Sequence, residues 1–204
     1  PGAERMTGAG DYLKMYARFT GFELGGRTIG LVGLGAVGRE VAARLLAFKA
    51  RVLAFDPYVP TPPAGVELVP LERLLEESDV VSLHAPVTSE TQGLLSRERL
   101  ERMKRGAFLV NTARAALTDE EALYALLAEG RLGGAGLDVL AEEPLQPGHR
   151  FLMLPNVIVT PHIGGATVDV VRHQSEIVVD AIERHLRGER PRWIANPAVF
   201  ERSR

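Results

Sequence analysis

Three side chains suited to anion and proton chemistry, Arg114, Glu143 and His162, each follow an apolar run that reads as a β-strand. A guanidinium fixes a carboxylate through two parallel N–H groups. An imidazole exchanges a proton near neutral pH. A carboxylate beside that imidazole favours its charged form. Together the set suits interconversion of a 2-keto acid and a 2-hydroxy acid. Each residue also has a plainer reading: a surface charge for Arg114, a loop position before Pro144 for Glu143. His162 precedes Gly164 and Gly165, where backbone can approach a ligand closely.

Such a reaction needs a redox partner, and GLVGLGAVGRE (30–40) offers a place for one. Gly33, Gly35 and Gly38 follow a strand and open a helix, the context in which G-x-G-x-x-G marks a dinucleotide loop. The first glycine allows a tight turn, the second lets backbone approach a pyrophosphate, and the third lets helix and strand pack closely. Free N–H groups at the helix start face the phosphate charge. Asp56 ends the next strand, at the offset expected of a carboxylate that binds the ribose 2′-OH and repels a 2′-phosphate, so NAD is favoured over NADP. A turn-capping role before Pro57 is the plainer reading of Asp56. His84 ends a further strand and lines the expected groove, with a structural role as the alternative. His149 falls in a polar loop, and His173 and His185 on the surface of the last helix.

These positions require a particular scaffold. Strands are expected at 28–34, 51–56, 66–69, 79–85, 107–113, 134–140 and 156–160. Helices are expected at 36–50, 71–78, 118–130 and about 166–188, with helical turns across 89–104. Thr118 and Glu121 have the spacing of a capping box, and Gly130 is a stop signal. Apolar strands alternating with helices imply a doubly wound parallel α/β sheet of about seven strands, covered on both faces. Ligands then bind beyond the carboxyl ends of the strands. In DYLKMYARF, Tyr12, Met15, Tyr16 and Phe19 have helical spacing and either pack on the sheet or contact something else.

The chain has 204 residues, a net charge of −2 and no cysteine. Disulfides, thiol catalysis and cysteine-bound metals are excluded. Cations are scattered, which speaks against a nucleic-acid surface, and no apolar run reaches membrane-spanning length. No spacing suggests a metal site, and no G-x-S-x-G elbow is present. A cytoplasmic protein is the expectation.

ELGGRTIGLVGLGAVGRE, LHAPVTSETQGLL, NTARAALTDEEAL, GAGLDVLAEEPL and NVIVTPHIGGAT occur in order and at fitting intervals. Together they resemble the D-isomer-specific 2-hydroxyacid dehydrogenases, the D-3-phosphoglycerate dehydrogenases most, from about Phe22 to Pro197. The resemblance implies that Arg114 binds the substrate carboxylate, His162 is the acid/base, and Glu143 sets its proton affinity. It places Asp138 at the nicotinamide carboxamide, Ala36 and Val37 at the pyrophosphate, and Asp56, Pro57 and Tyr58 at the adenosine ribose. Ala85, Pro86, Thr112 and Ala113 would line the rest of the NAD groove, with Gly164 and Gly165 near the nicotinamide. Ala115 stands where glycine is usual, and Leu140 where an aromatic is common.

Members of this family also carry a second domain that contacts substrate and closes the cleft. Residues 1–21 are therefore expected to be a segment linked to an absent substrate domain, 22–188 the dinucleotide-binding domain, and 189–204 a tail. The expected partners are a small 2-hydroxy or 2-keto acid and a second copy in a homodimer, with slow turnover by this chain alone. A non-catalytic NAD-sensing module of the same family is the alternative. Another Rossmann NAD domain, such as that of an S-adenosylhomocysteine hydrolase, would lack the ordered Arg, Glu and His.

Overall fold

The structure is a computed structural model that describes residues 21–194 and Asn196. Its strands are β1 (Thr28–Val32), β2 (Arg51–Phe55), β3 (Val66–Leu68), β4 (Val80–Leu83), β5 (Phe108–Asn111), β6 (Gly134–Leu137) and β7 (Val157–Val159). The helices are α1 (Ala36–Ala47), α2 (Leu71–Glu77), α3 (Arg97–Arg102), α4 (Glu120–Ala128) and α5 (Val168–Leu186), with 3₁₀ turns at Ala115–Leu117 and Arg150–Met153. Every strand pairing is parallel, in the order β3-β2-β1-β4-β5-β6-β7. The expected doubly wound sheet is therefore present, and its order reverses between β1 and β4.

Side-chain alternation along each strand splits the core in two. Ile29, Leu31, Val52 and Ala54 join Ala42 of α1 in one cluster. Val32, Leu53, Val81, Leu83 and Leu109 join Leu74 and Leu75 of α2, Leu100 of α3 and Leu123 of α4 in the other. Burying each such leucine contributes about 1.5–3 kcal/mol. A parallel sheet needs this cover on both faces because its connections are themselves helices.

Two local expectations change. The cap of α4 is Asp119, whose side chain accepts the Ala122 N–H at 3.0 Å. Thr118, expected in that role, lies in a bridge to Leu95, and its buried hydroxyl has no partner. Asp119 wins because it is the residue in extended conformation directly before the first helical turn. Residues 89–93 are turns, Leu95 sits in the bridge to Thr118, and helix begins only at Arg97, behind the cap Ser96. At the far end of α4, Gly130 (φ 67°) stops the helix as expected, with Arg131 N–H donating to Leu126 O.

The sheet unit ends at Pro161, and the chain from His162 on forms a second compact unit. That unit carries α5, which has no buried residue and exposes Val168, Val171, Val178, Ile182 and Leu186. Tyr12, Met15, Tyr16 and Phe19 lie outside the described residues. Among those described, no helix is long and apolar enough to cross a membrane, and no cluster of His, Cys, Asp or Glu could hold a metal.

Candidate functional site

The sheet's register sets the geometry. Val32 pairs with Phe55 and Leu83, Leu83 with Asn111, Asn111 with Leu137, and Leu137 with Val159. These last residues form one row across the sheet. The next residue of each strand therefore falls on a common rim: Gly33, Asp56, His84, Thr112, Asp138 and Thr160. Residues 22 to 51 apart in sequence become neighbours because every strand runs the same way.

A groove runs along this rim as two adjoining cavities. One, of about 220 Å³, is lined by Gly33, Gly35, Asp56, Pro57, Tyr58, His84, Ala85 and Pro86, among others. The second, of about 490 Å³, is lined by Val37, Thr112, Ala113 and Arg114 and shares His84, Ala85 and Pro86 with the first. The glycine loop is built for close approach. Gly33 has φ 98°, and a Cβ there would lie 2.8 Å from Ala85 N. A Cβ on Gly38 would lie 2.3 Å from Gly33 O, whereas one on Gly35 would meet nothing within 4 Å. Gly35 thus leaves open the space that a pyrophosphate needs.

Helix α1 starts at this loop with no side-chain cap and no acidic residue in its first turn. By contrast, α3 and α4 are capped by Ser96 and Asp119. The first-turn N–H groups of α1, at Ala36, Val37 and Gly38, are left to meet anionic oxygens with the positive end of the helix dipole behind them.

Asp56 fills the turn-capping role expected of it and also ties down the glycine loop, which its sequence position did not reveal. Its Oδ2 accepts the Leu34 N–H at 2.8 Å and its Oδ1 the Tyr58 N–H at 3.0 Å. The carboxylate therefore fixes the glycine loop and the turn beyond β2, and it retains lone pairs for ribose hydroxyls. His84 is joined to Ser82 Oγ through Nε2 at 3.0 Å, and burial pushes its proton affinity down. A neutral imidazole thus stands where the two cavities adjoin.

Arg114 is presented by Asn111, a buried residue that the sequence reading passed over. Asn111 Nδ2 donates to Arg114 O at 2.9 Å, and its Oδ1 accepts the Ala113 N–H at 3.0 Å. A buried asparagine ending a strand of otherwise apolar residues was the available signal. Ala115 fits without strain, since the chain there enters a 3₁₀ turn and, among the described residues, positive φ at non-glycine positions occurs only at Lys49 and His162. Leu140 is buried in the core.

Asp138 is buried and accepts the Thr160 hydroxyl at 2.5 Å. In the loop after β6, Glu143 Oε1 accepts the Leu140 N–H at 3.2 Å. Nearby, Glu120 of α4 accepts the Ala141 N–H at 2.8 Å and ties that loop down. His162 opens the second unit, three residues after the end of β7, with φ 56°. A non-glycine residue held in this conformation is uncommon and occurs disproportionately at functional sites. Gly164 and Gly165 follow it in the same unit. Thr88, Glu90, Thr91 and Leu94 also line the first cavity; the clustered hydroxyls of VTSET are the signal that could have marked them individually.

A parallel sheet with an uncapped helix at its switch point and a groove along the carboxyl rim is a dinucleotide-binding domain. Residues 2–164 match the family described as D-isomer specific 2-hydroxyacid dehydrogenase, NAD binding domain. The chain belongs to this family, and NAD is the cofactor. Over 184 residues it is 44% identical to a glyoxylate reductase of Korarchaeum cryptofilum, covering 89% of this chain and 55% of that protein. It is 42% identical over 183 residues to a D-3-phosphoglycerate dehydrogenase of Methanocaldococcus jannaschii, covering 88% of this chain and 35% of the relative. The NAD-complexed D-isomer specific 2-hydroxyacid dehydrogenase of Lactobacillus delbrueckii ssp. bulgaricus superposes with a TM-score of 0.80 at 31% identity, over 88% of this chain and 59% of the other. The chain thus spans little more than half the length of its curated relatives, or less.

Proposed function

We propose that the chain is the cofactor-binding part of an NAD-dependent oxidoreductase that interconverts a D-2-hydroxy acid and its 2-keto acid. One observation carries this reading: Arg114 lines the same groove as the glycine loop, at the cavity away from Asp56. A dinucleotide with its ribose at Asp56 and its pyrophosphate at Ala36 and Val37 points its reactive ring toward the Arg114 end. When bound, the nicotinamide supplies a two-electron acceptor or donor.

The chain's own residues do the rest. Arg114 holds the substrate carboxylate through paired N–H groups. His162 exchanges a proton with the substrate's C2 oxygen, giving it to the keto acid and taking it from the hydroxy acid. Glu143 favours the imidazolium form. Asp138 holds the carboxamide of the nicotinamide, while Gly164 and Gly165 admit backbone close to the ring. Relatives of comparable identity bear names from glyoxylate reductase to D-3-phosphoglycerate dehydrogenase. The reading therefore rests on the 2-oxo carboxylate they share, with likeness to phosphoglycerate dehydrogenases as its finer form. The protein acts in the cytoplasm as a homodimer, which sedimentation of the chain checks.

The test is titration of NADH fluorescence, followed by NADH oxidation with glyoxylate, hydroxypyruvate and 3-phosphohydroxypyruvate. NADH binds, and turnover is slow, because closure by a second domain orients substrate and excludes water. His162→Ala abolishes that turnover while NADH affinity stays within about twofold. Absence of NADH binding would overturn the cofactor reading, and unchanged turnover in His162→Ala would overturn the catalytic one.

A further inference from the structure

The first cavity holds a second carboxylate besides Asp56. Glu90 lines it from the segment after β4, opposite Tyr58 from the segment after β2. The Tyr58 hydroxyl donates to Glu90 Oε2 at 2.5 Å, joining the two walls. Both partners are held from behind. The Tyr58 N–H is bound by Asp56 Oδ1. The Glu90 N–H donates to Thr88 Oγ1 at 3.2 Å, and the Thr91 hydroxyl anchors the same turn on Pro86 O at 2.6 Å. The hydrogen bond and charge of Glu90 push the Tyr58 phenol above its usual range, so Tyr58 stays a neutral donor.

Charge decides what such a cavity accepts. No lysine or arginine lines it among the described residues, and its histidine is kept neutral by burial. Asp56 and Glu90 together therefore present two negative charges and no compensating cation. We propose that Glu90 is a second specificity-determining carboxylate of the cofactor site, acting with Asp56 to exclude dinucleotides that carry a 2′-phosphate. This inference rests on the reading that the Asp56 end holds the adenosine ribose. A ribose with free hydroxyls meets acceptors there. A 2′-phosphate brings up to two more negative charges into a site that offers nothing to pair with them.

The experiment measures displacement of NADH by NAD⁺ and by NADP⁺ from the unaltered chain, Glu90→Gln and Glu90→Asp, at low and high salt. Glu90→Gln keeps an acceptor for Tyr58 and removes only the charge. It should lower the NADP⁺/NAD⁺ ratio of dissociation constants roughly fivefold at low salt, with a smaller change at high salt because exposed charges are screened. Glu90→Asp, which keeps the charge, should stay within about twofold of the unaltered ratio. An unchanged ratio in Glu90→Gln, or a change in both constants together that salt does not alter, would overturn the proposal and leave Glu90 a structural strut. If the unaltered chain fails to bind NADH, the cofactor site itself fails, and the inference falls with it. Binding of NADH without the ratio change leaves the site standing and removes the inference alone.

Discussion

Glycine 35 and glycine 38 are three residues apart in one motif, yet a methyl group would act on them in opposite ways. At Gly35 the backbone is ordinary (φ −71°), and an added Cβ meets nothing within 4 Å. Gly35→Val should therefore leave thermal stability unchanged while filling the groove, and NADH affinity should fall at least tenfold, about 1.4 kcal/mol. At Gly38 the added Cβ would sit 2.3 Å from a backbone oxygen. Alanine gains about 1 kcal/mol of helix propensity over glycine. Overpacking against backbone costs about 1–3 kcal/mol, so Gly38→Ala should lower the unfolding midpoint. Thermal melts and NADH titration on both variants separate the two roles. The sequence made both glycines visible, but only the packing shows which one faces ligand and which faces the chain itself.

Helix α4 shows where element-level reasoning works and where it slips. Thr118 and Glu121 match the capping-box spacing, but so does any Ser or Thr near a helix start, and Asp119 next door is an equally good cap. Backbone conformation chose between them. Asp119→Ala should destabilise the sheet unit by about 1 kcal/mol through loss of the cap. Thr118→Val should cost nothing and can stabilise, because the Thr118 hydroxyl is buried without a partner. Urea denaturation of the two variants checks this, and a larger loss in Thr118→Val would restore the capping box. The turns at 89–93 depart from the expected helical turns for a related reason. Their apolar and polar residues have helical spacing, but the Thr88 and Thr91 hydroxyls offer the backbone local partners that compete with a helix.

At the scale of the whole molecule, stability and the groove are linked through His84. Burial lowers its proton affinity in the folded state, whereas the unfolded chain titrates near its ordinary value of about 6.5. Between those two values the unfolded state binds more protons, so stability rises with pH. The contribution is complete above about pH 6.5 and is lost as pH falls through the lower folded value. Melting midpoints from pH 7.5 to 5 should therefore drop, and His84→Asn should flatten part of that drop. An identical slope in the variant would show that another group carries the pH dependence.

The order of strands and helices, the glycine loop and the chemical types at the strand ends could be read from local pattern. Periodicity, turn residues and caps act over a few positions, and each leaves its mark within that span. Tertiary structure decided the rest. Parallel register put Gly33, Asp56, His84, Thr112 and Asp138 on one rim, and Asn111 took up the turn that presents Arg114. Tyr58 met Glu90 across a cavity from 32 residues away. Such contacts depend on which strands lie side by side, and no local run of residues encodes that.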